Sequence, residues 1–166
     1  MGAYVAEHLP PDIILASPLL RAKGTAEILQ KFVGCNLLIE TDLMEFNNGL
    51  LAGLSKEVAR VKYPLPLAGR PLHIPIEQGE SELEFRFRAE RIFHKIMQDY
   101  QGYNRVAIVS HGGFISQFIK AFLKQPNESE FGFATGDTGL HLLEIKEKAR
   151  IIRFLNKQEH LKGEID

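Results

Sequence analysis

The chain has 166 residues, enough for one domain with a hydrophobic core and too few for two ordinary domains. Its 45% hydrophobic and 25% charged residues are typical of a globular protein. Because 20 basic residues are balanced by 21 acidic ones, the sequence argues against nucleic acid or an anionic membrane as the main partner. A single cysteine, Cys35, excludes an internal disulfide. We expect a cytoplasmic protein, either a monomer or a small homo-oligomer such as a homodimer.

The first part of the chain alternates between predicted helix and predicted strand. Residues 2–9 have the pattern of a helix end, and residues 12–16 (DIILA) predict a short apolar strand. The serine–proline pair at 17–18 predicts the start of a helix that ends at Gly34, because serine caps free amides and glycine suits the position after a helix. Residues 37–40 predict a second strand.

The alternation resumes after residues 41–80, which predict a long excursion across the carboxyl edge of the sheet with only short helical patches. Residues 81–84 (SELE) form a capping-box sequence that opens a helix to about residue 100. Residues 106–109 (VAIV) predict a third strand. The remaining predicted elements are a helix at 114–123, strands at 140–145 and 151–155, and a turn at 147–150.

This order of elements predicts an α/β fold, a three-layer sandwich with a mostly parallel sheet and helices on both faces. Residues 1–166 are expected to form one domain, because the sequence contains no repeat, low-complexity tract or linker. The all-apolar strands at 12–16 and 106–109 are expected to be buried on both faces.

Two strand–helix junctions carry residues that could bind an anion. Ligands of open α/β sheets bind where strands end and helices begin, and a helix N-terminus attracts a phosphate. Arg21 lies in the first turn of the helix after the first strand, where its guanidinium could contact phosphate oxygens. His111 follows the VAIV strand as a donor or proton carrier, and Gly112 and Gly113 after it would let the backbone approach a ligand.

Several segments resemble, in chain order, the motifs of the histidine phosphatase superfamily, in its phosphoglycerate-mutase-like branch. The two longest are IILASPLLRAKGTAEIL at 13–29 and VAIVSHGGFI at 106–115. The others are LMEFNNG at 43–49, GES at 79–81 together with Arg88, and the closing segment 154–161. The resemblance therefore covers nearly the whole chain and implies the fold predicted above.

The resemblance also implies roles for individual residues. Arg21 would bind the transferred phosphoryl group, and His111 would hydrogen-bond the same oxygens and stabilise charge in the transition state. Glu45 would protonate the leaving oxygen and then activate water. Gly112 would contribute to the phosphate-binding segment. The family's chemistry implies no metal and no other cofactor.

One family motif has no counterpart in this sequence. The reaction depends on a nucleophilic histidine in an Arg-His-Gly motif at the tip of the first strand, and the 166 residues contain no Arg-His-Gly. The family's first strand is therefore predicted to be missing, and we interpret the chain as N-terminally truncated. A segment supplied by another copy and a natural inactive form are the alternatives. As it stands, the chain is expected to be inactive or strongly impaired.

The resemblance implies a hydrolase, a phosphatase that in its complete form cleaves small phosphomonoesters through a phosphohistidine intermediate. Its partner would be a small phosphorylated molecule or inorganic phosphate. Two other functions stay open: a phosphoglycerate mutase, and a catalytically dead pseudo-phosphatase that binds a phosphorylated ligand. The mutase ranks below the phosphatase because the mutase-type extension of the acid motif is absent.

Overall fold

The computed structural model describes residues 1–65, 69–127, 130–147 and 149–161. The helices are α1 (Gly2–His8), α2 (Leu20–Val33), α3 (Lys56–Lys62), α4 (Glu82–Asp99) and α5 (Gly112–Phe122). The strands are β1 (Ile13–Ala16), β2 (Asn36–Ile39), β3 (Val106–Val109), β4 (Leu140–Lys146) and β5 (Ala149–Lys157). These bounds lie within a few residues of the predicted ones. Residue 148, in the predicted turn at 147–150, lies outside the described residues.

The sheet has β1 at its centre. β1 pairs in parallel with β2 on one side and with β3 on the other, so the strand order is β2-β1-β3. β4 and β5 form a separate antiparallel pair. The mostly parallel sheet predicted from the sequence is therefore confirmed.

Side chains from β1 alternate between two hydrophobic cores, one on each face of the sheet. Ile13 and Leu15 pack with residues of α4 and α5, whereas Ile14 and Ala16 pack with residues of α1 and α2. Helices thus cover both faces, and the three-layer sandwich is confirmed. Among the described residues, no helix combines the length and the apolar character needed to cross a lipid bilayer.

Local signals in the sequence set two of the helix ends, and one predicted helix start is displaced. Ser81 and Glu84 form the predicted capping box, and α2 ends at Gly34 in the left-handed conformation with φ of 72°. The predicted helix start at 17–18 is wrong, because α2 begins at Leu20. The hydroxyl of Ser17 lies 2.8 Å from a ring nitrogen of His111, so a tertiary contact holds the serine outside the helix.

The two central strands differ in burial. All four residues of β1 are buried, as predicted, but all four residues of β3 are only half-buried, and that prediction is wrong. The physical reason is the pairing: β3 bonds to β1 along one edge, and its other edge faces a cleft of about 1400 Å³ that β4 lines on the far side. Within the described residues, no strand lies between β3 and β4.

Candidate active site

The site lies at the carboxyl ends of β1 and β3. Ala16 and Val109 are opposite each other in the parallel register, so the segments that follow them leave the sheet side by side. The amide of Ser17 donates to the carbonyl of Val109 at 3.0 Å and extends this pairing by one residue. Arg21 then lies in the first turn of α2, and His111 occupies the N-cap position of α5.

The imidazole of His111 is held in a fixed orientation. The residue is 6% exposed, and its Nε2 lies 2.8 Å from the Oγ of Ser17, which also accepts a 3.3 Å hydrogen bond from the amide of Leu19. Burial lowers the pKa of His111, and the charge of Arg21 lowers it further, while the Glu45 carboxylate opposes the shift. His111 is therefore a neutral imidazole at pH 7, with one nitrogen able to donate and the other able to accept.

The carboxylate of Glu45 reaches the start of α5. Its Oε2 accepts a hydrogen bond from the amide of Gly113 at 3.0 Å, and its Oε1 accepts one from the amide of Phe46 at 3.0 Å. A β-carbon on Gly113 would lie 2.6 Å from Glu45 Oε1, so this position needs glycine for the carboxylate to approach. A β-carbon on Gly112 would meet only Thr135, at 3.9 Å or more, so the space beside Gly112 is open.

Arg88 of α4 holds the loop that carries Glu45. Its guanidinium donates hydrogen bonds to the carbonyl oxygens of Asp42 at 2.8 Å, Met44 at 2.7 Å and Glu45 at 3.3 Å. The side chain is 14% exposed, and its charge is paired with the carboxylate of Glu80 at 2.7 Å. The GES segment and Arg88 therefore act together on the backbone beneath the acid.

A second set of contacts fixes the later part of the same loop, from Asn47 to Gly49. Two hydrogen bonds join Asn47 and Glu80. The backbone amide of Asn47 donates to the Glu80 carboxylate at 2.7 Å, and the backbone amide of Glu80 donates to the backbone carbonyl of Asn47 at 3.0 Å. Gly49 has φ of 46° and lies against the backbone of Glu77 so closely that a side chain there would collide with it. The loop from Asp42 to Gly49 is thus fixed along its length.

The structure brings together all four residues predicted for the site. Arg21, Glu45, His111 and Gly112 all line the cleft beside β3, and the charges of Arg21 and Glu45 both act on the imidazole of His111, so these three side chains lie near one another. Their catalytic and phosphate-binding roles stay predictions. Among the described residues, no group of three or more His, Cys, Asp and Glu side chains could hold a metal ion.

The sequence predicts Ser17 only as the start of a helix, whereas the structure places it in the candidate site. Its hydroxyl orients His111, although the local sequence identifies it only as a helix cap. The signal that could have found it is its position: Ser17 and His111 both follow the ends of strands that are predicted to be adjacent and parallel.

Comparison with known proteins identifies the family of this fold. The model of the histidine phosphatase superfamily (branch 1) matches residues 1–158. A relative from Escherichia fergusonii, named "Probable phosphoglycerate mutase GpmB", is 31% identical over 130 residues, which are 75% of this chain and 59% of the relative. The chain therefore spans about three fifths of the length of that relative.

Solved structures have the same fold. The alpha-ribazole phosphatase from Shigella flexneri superposes with a TM-score of 0.72 at 25% identity, over 94% of this chain and 78% of that one. The mycobacterial glucosyl-3-phosphoglycerate phosphatase in complex with inorganic phosphate superposes with a TM-score of 0.77 at 22% identity, over 94% of this chain and 82% of that one.

Proposed function

The chain belongs to the histidine phosphatase superfamily, and on that premise we propose that it carries the phosphate-binding and acid–base residues of a phosphatase for small phosphomonoesters. The observation that carries this proposal is the proximity of Arg21, Glu45 and His111: all three line the cleft beside β3, and the charges of Arg21 and Glu45 both act on the His111 imidazole. A guanidinium, a neutral imidazole and a helix N-terminus together supply donors for an anion, and the carboxylate supplies a site for a proton. The solved neighbour with inorganic phosphate supports phosphate as the ligand class.

In the proposed reaction, a histidine nitrogen attacks phosphorus and the bond from phosphorus to the leaving oxygen breaks. Glu45 gives its proton to that oxygen, and Arg21 and His111 hydrogen-bond the phosphoryl oxygens as charge develops on them. Glu45 then removes a proton from water, the water oxygen attacks phosphorus, and the phosphorus–nitrogen bond breaks. Inorganic phosphate leaves, and both the histidine and the protonated carboxyl are restored.

The nucleophile of this reaction has to come from outside the described residues. The resemblance assigns His111, whose ring contacts Ser17, to the family's second histidine, and the sequence has no Arg-His-Gly. We assign the missing nucleophile to a strand that would occupy the cleft between β3 and β4. A strand parallel to β3 in that cleft would bring its carboxyl end to the edge where Arg21 and His111 lie.

Two features support a strand as the occupant of this cleft. The outer edge of β3 has no strand partner among the described residues, and neither does the edge of β4 that lines the cleft. Each buried backbone group left unpaired costs about 1–3 kcal/mol, so a strand that pairs with both edges would be strongly favoured.

Two other functions are kept as candidates, each on a specific observation. The relative named as a phosphoglycerate mutase favours a mutase, which would return the phosphoryl group to a second hydroxyl. The missing Arg-His-Gly favours a pseudo-phosphatase that binds a phosphorylated ligand without turnover. A cytoplasmic location and a homodimer stay predictions.

Anion binding tests the site in the chain as it exists. Titration calorimetry with inorganic phosphate is expected to detect binding, and Arg21→Gln is expected to weaken it about tenfold or more, because a hydrogen bond to a charged group contributes about 1.5–3 kcal/mol. Arg60→Gln, on the exposed surface of α3, is the matched control and is expected to bind phosphate normally. Equal phosphate affinity in the unchanged chain, Arg21→Gln and Arg60→Gln would reject the proposed phosphate site.

A hydrolysis assay tests whether the chain lacks the nucleophile of the proposed reaction. The chain is expected to hydrolyse p-nitrophenyl phosphate at the background rate. Sequencing the DNA upstream of the Met1 codon shows whether it encodes an Arg-His-Gly motif. If it does, adding the encoded residues to the chain is expected to restore hydrolysis. Replacing the added histidine with alanine should abolish the restored activity. Robust turnover by the shorter chain, lost in His111→Ala, would contradict the proposed mechanism.

The restored protein also separates the candidate functions. With 3-phosphoglycerate, a phosphatase releases inorganic phosphate, whereas a mutase forms the isomer without free phosphate. A restored protein that binds phosphate and does neither is a pseudo-phosphatase.

A further inference from the structure

A loop between α5 and β4 places one hydroxyl beside the proposed phosphate site. Thr135 lies in this loop and lines the same cleft as Arg21 and His111. A β-carbon built on Gly112, the first residue of α5, would lie 4.0 Å from the β-carbon of Thr135. Thr135 therefore stands next to Gly112 at the start of α5, where the anion is proposed to bind, whereas the amide of Gly113 is bonded to Glu45.

Hydrogen bonds from two sides fix the position of this loop. The amide of Phe133 donates to the hydroxyl oxygen of Ser116 in α5 at 3.1 Å. On the other side of Thr135, the amide of Gly136 donates to the side-chain oxygen of Asn156 in β5 at 2.8 Å. Thr135 lies between these two anchors, so its placement does not depend on a bound ligand.

The partner of the Thr135 hydroxyl is His141 of β4, and the contacts of His141 identify its tautomer. The backbone amide of Asn156 donates to His141 Nδ1 at 3.3 Å, so Nδ1 is an acceptor and carries no proton. Burial lowers the pKa of His141, which keeps the ring neutral at pH 7. The single ring proton is therefore on Nε2, which lies 3.0 Å from Thr135 Oγ1.

The direction of that hydrogen bond determines what Thr135 can do next. Because His141 Nε2–H donates, Thr135 Oγ1 accepts, and the hydroxyl proton of Thr135 stays available for another acceptor. Across the described part of the chain, no second partner takes this proton. Thr135 is thus a donor on the wall of the cleft.

We propose that Thr135 is a further binding residue of the phosphate site, whose hydroxyl donates a hydrogen bond to an oxygen of the phosphorylated ligand, and that His141 is its positioning residue. This inference rests on the function proposed above, because it assumes that phosphate binds at the start of α5. With His141 donating to one lone pair of the Thr135 oxygen, the hydroxyl proton is free to donate to the ligand. A phosphate dianion, which presents several acceptor oxygens and no donor, suits this hydroxyl proton.

The test compares two threonines that both contact an imidazole. Thr135→Val keeps the shape of the side chain and removes the hydroxyl, and we expect it to weaken binding of inorganic phosphate about tenfold, the loss typical of one hydrogen bond to a charged group. Thr138→Val is the matched control: Thr138 Oγ1 lies 3.0 Å from His160 Nε2, but the residue is exposed and is not next to Gly112. Its phosphate affinity should equal that of the unchanged chain, and Thr135→Ser should retain most of the affinity.

The tautomer of His141 is a second measurement, independent of any variant. Nitrogen-15 NMR of the imidazole is expected to show the proton on Nε2. A proton on Nδ1 would reverse the hydrogen bond, make Thr135 the donor to His141 and overturn the inference. This measurement overturns the inference on a proton at Nδ1 even where Thr135→Val fails to fold.

The outcomes separate this inference from the function on which it rests. If the unchanged chain binds no phosphate, or Arg21→Gln binds it equally well, the proposed function fails. If Arg21→Gln weakens binding and a folded Thr135→Val does not, only the role of Thr135 is rejected. Equal losses in Thr135→Val and Thr138→Val would reject it as well, because they would indicate a general effect of the loop.

Discussion

The Glu45 carboxylate accepts a hydrogen bond from the Gly113 amide at 3.0 Å, so the candidate acid is attached to the helix whose N-terminus faces the proposed anion site. The two functions assigned to this edge of the sheet, proton transfer and phosphate binding, therefore share one structural element. A β-carbon at residue 113 would lie 2.6 Å from the carboxylate, which makes the contact sensitive to a single methyl group.

Substitution of the two glycines at the start of α5 tests this relationship. Gly113→Ala is expected to displace the Glu45 carboxylate, because the added methyl group would occupy the space of Oε1. The methyl group that Gly112→Ala adds would contact only Thr135, at an ordinary contact distance. This variant should therefore keep the Glu45–Gly113 hydrogen bond. Crystal structures of the two variants measure this distance. An unchanged 3.0 Å contact in Gly113→Ala would contradict the argument.

The loop under Glu45 should depend on Arg88 much more than on its exposed neighbour Arg91. Arg88→Gln breaks a buried ion pair and leaves backbone carbonyls without donors, so we expect it to lower the free energy of unfolding by about 3 kcal/mol. Arg91 pairs with Asp42 from a side chain that is 55% exposed, and Arg91→Gln should cost about 1 kcal/mol or less. Urea denaturation of both variants measures the difference. Equal losses would show that Arg88 has no special role.

The buried histidines predict a loss of stability in mild acid. Because burial lowers the pKa of His111 and of His141 in the folded state, the unfolded chain binds protons at these residues that the folded chain does not. The free energy of unfolding should therefore fall as the pH drops below about 6.5, the ordinary pKa of histidine, toward the lower folded values. Thermal melts between pH 7.5 and 5.5 in a buffer without phosphate measure the slope.

The contribution of His111 to the pH dependence of the melting temperature can be measured separately. His111→Gln should show a shallower decrease in melting temperature over the same range, because the variant has no imidazole to titrate at this position. His94 is an exposed histidine of α4, and His94→Gln is the matched control for the substitution of histidine by glutamine. An identical slope in His111→Gln and the unchanged chain would show that the pKa of His111 is not lowered in the folded state.

Phosphate binding is expected to survive the removal of metal ions. The positive charge at the site comes from Arg21 and from the amides at the start of α5, so EDTA should leave the phosphate affinity measured by calorimetry unchanged. A large loss of affinity after EDTA, restored by a divalent cation, would contradict this interpretation.

Features that depend on neighbouring residues in the chain could be predicted from the sequence. The capping box at Ser81 and Glu84 and the left-handed Gly34 use only local hydrogen bonds and backbone freedom, and both are where the sequence places them. The convergence of Arg21 and His111 could be predicted as well, because the ends of adjacent parallel strands share one edge.

Features that depend on distant partners could not be predicted. Ser17 contacts His111 rather than capping α2, and the two residues are 94 positions apart in the chain. The half-buried state of β3 depends on which strands flank it, whereas its apolar sequence indicates only that burial is favourable. The role of Thr135 depends on the tautomer of His141, which is determined by a backbone amide of another strand.

The outer edge of β3, which has no strand partner in the described part of the chain, also affects how the chain behaves at high concentration. Natural sheets protect such edges with lysine, proline or a bulge, but β3 consists of valine, alanine, isoleucine and valine. Extended backbones from other molecules could pair along this edge, so concentrated samples of the chain should scatter light and precipitate. A short peptide that pairs with β3 should suppress the scattering, which makes turbidity a simple assay for sequences that fit.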